Sequence, residues 1–161
     1  MSTPASPTGP TAPSSPRVLL VENDFLIAET VTDQLAELGS TVVGPAYSLR
    51  EACRLAASES IDAALLDWRL DGVTSDPVAD ILLERQIPFT FVTGYTEIAD
   101  GRYRTIPLLK KPFSIEALRG AVVAMLGRRE SDQAEPKAIG DEAALPEIPK
   151  IDGEPYDGSP L

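Results

Sequence analysis

The chain has 161 residues and a net charge of −11 at neutral pH, which fits one domain of ordinary size. The acidic balance, with no basic stripe and interleaved aromatics, argues against nucleic-acid binding. No apolar run approaches the roughly 18 residues that a membrane span needs. The single cysteine excludes an intrachain disulfide, so we expect a protein of the reducing cytoplasm.

The two ends of the chain differ in composition from the part between them. Residues 1–16 hold five prolines and no charged side chain, and residues 130–161 hold five prolines with nine acidic and two basic residues. Such segments bury too little apolar surface to fold. The sequence therefore predicts a disordered leader over 1–16, a folded domain over 17–129 and a disordered acidic tail over 130–161.

Five predicted strands alternate with helices in the folded part. The strands, recognised as short apolar runs, cover Arg17–Val21, Thr41–Ala46, Ala63–Leu66, Pro88–Thr93 and Thr105–Lys110. The helices cover Phe25–Leu38, Leu49–Ser58, Pro77–Glu84, the weak stretch Thr96–Tyr103 and Ser114–Leu126, with Gly127 closing the last one. Strict alternation requires a parallel sheet with helices on both faces. We predict a flavodoxin-like, doubly wound α/β fold with strand order 2-1-3-4-5 and a short or mobile fourth helix.

Four of these strands end in charged or polar residues. Glu22, Asn23 and Asp24 follow the first strand, Asp67 the third and Lys111 the fifth, and Thr93 ends the fourth. All strands of a parallel sheet point the same way, so these side chains gather at one edge, where open α/β sheets bind ligands. Oxygen ligands around an Asp suit Mg²⁺, and a Lys and a hydroxyl can hold an incoming phosphoryl group. Each residue alone has an ordinary structural explanation, but together they favour a phosphoryl-transfer site.

The motifs resemble those of the receiver domains of two-component response regulators. The matching stretches are Val-Leu-Leu-Val-Glu22-Asn23-Asp24, Leu-Leu-Asp67-Trp-Arg-Leu-Asp-Gly, Thr93-Gly94 and Lys111-Pro112-Phe113. The resemblance covers residues 17–129. It implies that a sensor histidine kinase or a phosphotransfer protein phosphorylates Asp67. It further implies that Thr93 binds a phosphoryl oxygen and moves on activation, and that Lys111 pairs with the acyl phosphate.

The resemblance also implies a Mg²⁺ site. Its ligands would be Glu22, Asn23, Asp67 and the main-chain carbonyl of Arg69. Asn23 departs from the family, which carries a second acidic residue there. An amide oxygen still binds Mg²⁺, but one fewer anionic ligand should weaken the affinity. We expect phosphorylation to be retained with weakened metal binding.

A narrower resemblance concerns residues 88–95, Pro-Phe-Thr-Phe-Val-Thr-Gly-Tyr. This stretch looks like the Pro-Phe-x-Phe-Ala-Thr-Gly-Tyr motif of single-domain receivers associated with histidine kinases of the HWE type and with bacterial stress signalling. Val92 replaces the usual Ala. Many receivers also carry an aromatic switch residue at the position of Leu108. Because Leu108 cannot play that part, we expect Tyr95 or mobility of the fourth helix to replace it.

Three functional classes follow from these residues. The first is a phosphoacceptor signalling protein, not an enzyme, with no fused output domain after Gly127. It would act as a phosphate sink or by partner binding, and the resemblance to the family implies that partners contact the first helix and the loop after Lys111. The second is a pseudo-receiver that binds partners without phosphorylation, favoured by Asn23. The third, a hydrolase with an Asp nucleophile, is disfavoured because Arg69 occupies the place of its second Asp and the chain contains no His.

Overall fold

A computed structural model describes residues 13–94, 98 and 100–133. The leader up to residue 12, the tail from residue 134 and Tyr95 lie outside the described residues. The predictions made for these parts of the chain therefore stay predictions.

Five parallel strands form the central sheet. They are β1 (Arg17–Val21), β2 (Thr41–Ala46), β3 (Ala63–Asp67), β6 (Phe89–Thr93) and β7 (Leu108–Lys110), and two short strands, β4 (Arg69–Leu70) and β5 (Val73–Thr74), form a separate antiparallel hairpin. The order β2-β1-β3-β6-β7 confirms the predicted flavodoxin-like arrangement, since these are the first to fifth strands of the sheet. Every residue of β3 and β6 is buried, as expected for inner strands covered on both faces.

In the described part of the chain, three α-helices connect strands and a fourth follows the last strand. They are α1 (Phe25–Glu37), α2 (Leu49–Ser58), α3 (Asp76–Glu84) and α4 (Ile115–Gln133), and a 3₁₀ turn covers Gly101–Tyr103. Side-chain oxygens of Asp24, Ser48 and Ser114 accept hydrogen bonds from main-chain N–H groups in the first turns of α1, α2 and α4. These caps explain why the three helices begin where they do.

Apolar residues pack on both faces of the sheet. Alternate residues of a strand face opposite sides, so Leu19 and Val21 of β1 join the cluster beneath α2 and α3, whereas Val18 and Leu20 join the cluster beneath α1 and α4. The result is a three-layer domain. Among the described helices, none combines the length and the apolar character required to span a membrane.

Two predicted boundaries are wrong by more than one residue. The last helix does not end at Leu126 but continues past Gly127 to Gln133, because Arg129 forms an ion pair with Asp62 at 3.5 Å and hydrogen-bonds the carbonyl of Ile61. The last strand begins at Leu108, not at Thr105. Pro107 has no N–H to donate to the sheet, so regular pairing starts only after it.

Candidate functional site

The carboxyl ends of four strands bring the predicted site residues together. Glu22 directly follows β1, Asp67 and Thr93 are the last residues of β3 and β6, and Lys111 directly follows β7. The main-chain N–H of Lys111 donates to the carbonyl of Thr93 at 2.8 Å, which fixes these two residues side by side. Glu22, Asp67 and Thr93 are buried, with at most 9% of their surface exposed.

Lys111 bridges the two acidic residues. Its Nζ lies 2.6 Å from Glu22 Oε2 and 3.2 Å from Asp67 Oδ2. The remaining oxygens are also held, since Glu22 Oε1 accepts from the N–H of Asp24 at 2.9 Å and Asp67 Oδ1 accepts from the N–H of Arg69 at 3.3 Å. Both carboxylates are therefore positioned before any ligand arrives, as catalysis by electrostatic stabilisation requires.

Burial and neighbouring charges perturb the titration of the site. Burial raises the pKa of Asp67, the Glu22 carboxylate raises it as well, and Lys111 lowers it, so that the pKa is about 6. Burial alone would lower the pKa of Lys111, but its hydrogen bonds and charge interactions with Glu22 and Asp67 outweigh this and raise it. At neutral pH the site thus holds an ionised Asp67 beside a firmly protonated Lys111.

The oxygen atoms at this edge fit Mg²⁺ by their chemistry. One ammonium nitrogen contacts both Glu22 and Asp67, so these carboxylates are close enough to share a single cation. The predicted ligands also include the amide oxygen of Asn23 and the main-chain carbonyl of Arg69, and hard oxygen donors are what Mg²⁺ selects. In the part of the chain that the structure describes, no three His, Cys, Asp or Glu side chains form a metal-binding group. Magnesium would therefore depend on the amide and carbonyl oxygens.

An apolar groove lies next to the site. It has a volume of about 390 Å³ and is lined mainly by side chains of α1 and by the residues from Lys111 to Phe113. Leu26, in the first turn of α1, is 73% exposed. The sequence prediction named these two segments as partner contacts, and the structure places them around one groove.

Two features near the site were not foreseen. The β4–β5 hairpin follows Asp67 directly, and its turn residue Asp71 accepts a hydrogen bond from Asn23. The Asp-Gly dipeptide at 71–72 is the usual signal of a two-residue hairpin turn and could have revealed it. Tyr103 is the second feature: it is buried against Trp68, with ring centroids 5.9 Å apart, and donates from its hydroxyl to Asp80 at 2.8 Å.

Comparison with known proteins gives the family. No protein-family model matches the chain. The chain is 38% identical to SdrG from Sphingomonas melonis Fr1, a receiver domain known from its solution structure, with a TM-score of 0.64 over 71% of this chain and 99% of that one. A response regulator receiver domain protein from Methanospirillum hungatei JF-1 shares the fold at 21% identity, with a TM-score of 0.67 over 74% of this chain and 99% of that one.

A curated protein agrees with the structural comparisons. The transcriptional regulatory protein PdtaR of Mycobacterium tuberculosis is 30% identical over 119 residues, which are 70% of this chain and 57% of that protein. The chain thus spans little more than half the length of this relative. The similarity to SdrG, at 38% identity over 99% of that chain, shows that the chain belongs to the receiver-domain family of response regulators.

Proposed function

We propose that this receiver accepts a phosphoryl group on Asp67 in a Mg²⁺-dependent reaction, with a histidine kinase or a phosphotransfer protein as donor. The observation that carries the proposal is the bridge from Lys111 to Glu22 and Asp67 at 2.6 and 3.2 Å. It gathers a buried carboxylate nucleophile, a second carboxylate and a cation at one edge of the sheet. The phosphorylated form would alter partner binding or serve as a phosphate sink.

The residues have distinct roles in the proposed transfer. A carboxylate oxygen of Asp67 attacks phosphorus and forms a new P–O bond, while the bond from phosphorus to the donor breaks and the donor keeps the electron pair. Since the pKa of Asp67 is about 6, most Asp67 side chains are ionised and nucleophilic at neutral pH. Lys111 balances negative charge that shifts onto the phosphoryl oxygens, and the Thr93 hydroxyl holds one of them. Bound Mg²⁺ would supply further neutralisation of the same oxygens.

The narrower proposals depend on the motif at residues 88–95. Its similarity to the Pro-Phe-x-Phe-Ala-Thr-Gly-Tyr signature supports a kinase of the HWE type and a role in stress signalling. The groove between α1 and the loop after Lys111 supports partner docking beside the phosphorylated residue. We also propose that the protein works in the cytoplasm.

A pseudo-receiver is the second candidate, and Asn23 is the observation that favours it. An amide at a metal-ligand position removes one negative charge from the site. In that case the chain would bind partners through the same fold without being phosphorylated.

The experiment that separates the two candidates is intact mass spectrometry after incubation with Mg²⁺ and a small-molecule phosphodonor. We expect one phosphoryl adduct on the parent, none without Mg²⁺ and none on an Asp67→Asn variant. Asp33→Asn, an exposed substitution on α1, is the matched control and should be phosphorylated normally. If no adduct forms on the parent and beryllofluoride leaves its Trp68 fluorescence unchanged, the chain is a pseudo-receiver.

A further inference from the structure

One hydrogen bond joins the residue that departs from the family to the hairpin after the phosphoacceptor. The side-chain nitrogen of Asn23 donates to Asp71 Oδ1 at 2.8 Å. Asn23 lies at the carboxyl end of β1, and Asp71 lies in the turn between β4 and β5. The contact therefore joins the end of β1 to the hairpin that follows Asp67.

The hairpin fixes the place of Asp71 through its backbone. Asp71 and Gly72 have φ angles of 48° and 86°, the two positive values that a type I′ turn requires and that the Asp-Gly pair tolerates well. Leu70 anchors the hairpin with 1% exposure, and the N–H of Ser75 donates to the carbonyl of Trp68 at 3.0 Å. The turn is thus built onto the loop that begins at Asp67.

The contact also fixes the orientation of the Asn23 amide. An ionised carboxylate can only accept hydrogen bonds, so only the NH₂ group of Asn23 can face Asp71. The amide oxygen must then face away from Asp71 and stays available as an acceptor or as a ligand. Without such a partner, an amide can turn by 180° and present its nitrogen, which cannot bind a cation.

We propose that Asp71 is a positioning residue of the Mg²⁺ site. It holds Asn23 in the orientation that presents the amide oxygen, and its own carboxylate restores next to Asn23 the negative charge that an acidic residue at position 23 would have carried. This inference rests on the proposed function, because it assumes that the site binds Mg²⁺. It explains how a receiver with an amide at position 23 keeps a metal site.

Two substitutions separate the two contributions of Asp71. Asp71→Asn tolerates the left-handed backbone and keeps an acceptor oxygen, but removes the charge. Asp71→Gly also suits a positive φ and removes both the acceptor and the charge. For Asp71→Asn we expect a Mg²⁺ dissociation constant about threefold above that of the parent, the order expected for the loss of one partly screened charge. For Asp71→Gly we expect about tenfold, because the hydrogen bond to Asn23 is lost as well.

The measurement is a Mg²⁺ titration followed by Trp68 fluorescence, with the Mg²⁺-dependent rise in the unfolding temperature as a second readout. Asp33→Asn, which removes an exposed charge elsewhere on the surface, is the control and should bind Mg²⁺ like the parent. Asn23→Asp should bind Mg²⁺ more tightly than the parent and be less stable without it, because two carboxylates would then face each other. In the Asn23→Asp background, Asp71→Asn should restore that stability.

The outcomes distinguish this inference from the proposed function. If the parent binds Mg²⁺ and both Asp71 variants bind it equally well, the positioning role is wrong and the phosphoacceptor proposal stands. A purely structural role for Asp71 would lower the unfolding temperature without Mg²⁺ and leave the dissociation constant unchanged, which also overturns the inference. If the parent neither binds Mg²⁺ nor forms an adduct, both proposals fail together.

Discussion

Replacing Asp67 by Asn is expected to stabilise the folded domain, although it removes the proposed phosphoacceptor. Burial, reinforced by the Glu22 carboxylate, raises the pKa of Asp67 from 3.8 to about 6. At about 1.4 kcal/mol per pKa unit, the ionised side chain therefore costs the folded state about 3 kcal/mol at neutral pH. Asparagine has nearly the same shape and no charge, so the variant avoids this cost.

The contact with Lys111 is already contained in this cost. The ammonium group holds Asp67 Oδ2 at 3.2 Å and lowers the pKa that burial raises, so the value of about 6 is the net of both effects. Because 12% of the Asp67 side chain is exposed, solvent screens part of the cost. We therefore expect a net increase of about 2 kcal/mol in the free energy of unfolding. For a domain of this size that is a rise of about 8 °C in Tm.

The effect should depend on pH in a defined direction. Because the pKa is raised in the folded state, the folded protein binds the proton more tightly than the unfolded chain does. The cost of Asp67 is thus present above pH 6 and disappears as the pH falls from about 6 towards 3.8. Urea unfolding in the presence of a chelator, at neutral pH and at about pH 4.5, should show the advantage of the variant shrinking in acid.

An exposed aspartate provides the control for this experiment. Asp33→Asn on α1 should change the free energy of unfolding by no more than about 0.5 kcal/mol. If the Asp67 variant is no more stable than the parent at neutral pH, the ionised Asp67 side chain does not destabilise the folded state. A gain in stability of the same size at both pH values would show that it does not arise from the Asp67 charge.

Three further substitutions test single contacts. Lys111→Gln removes the cation that bridges the two carboxylates, so calorimetry should show tighter Mg²⁺ binding and mass spectrometry should show slower adduct formation. Weaker Mg²⁺ binding would contradict this prediction. Thr93→Ala should form the adduct but lose most of the Trp68 fluorescence response to beryllofluoride, and Thr93→Ser should retain it; an unchanged response in the Ala variant would exclude the hydroxyl. Tyr103→Phe removes the 2.8 Å hydrogen bond to Asp80 and should cost about 1 kcal/mol in urea unfolding, whereas unchanged stability would show that the bond contributes nothing.

The sheet, and the meeting of three candidate site residues at one of its edges, could be predicted from sequence for one physical reason. Strands buried on both faces must be apolar throughout, so runs such as Val18–Val21 and Ala63–Leu66 are visible without any alignment. Once the strands are placed in a parallel sheet, their carboxyl ends share an edge. Asp67, Thr93 and Lys111 then meet there, as the structure confirms by the contacts of Lys111.

The parts that escaped prediction depend on contacts distant in sequence or on very short elements. The extension of α4 past Gly127 is held by Arg129 on Ile61 and Asp62, which are far away along the chain. The strands β4 and β5 have two residues each, too few to show a periodicity. Their only sequence signal is the Asp-Gly turn, and it is there that the partner of Asn23 lies.

Chemical trapping can show whether Asp67 is the residue that accepts the phosphoryl group. Borohydride reduces an aspartyl phosphate to homoserine, so the parent chain would be treated with Mg²⁺ and phosphodonor, reduced, and mapped by peptide mass spectrometry. We expect homoserine at position 67 and at no other acidic position, and none when Mg²⁺ is withheld. Homoserine at another position, or an adduct with no homoserine at 67, would contradict this prediction.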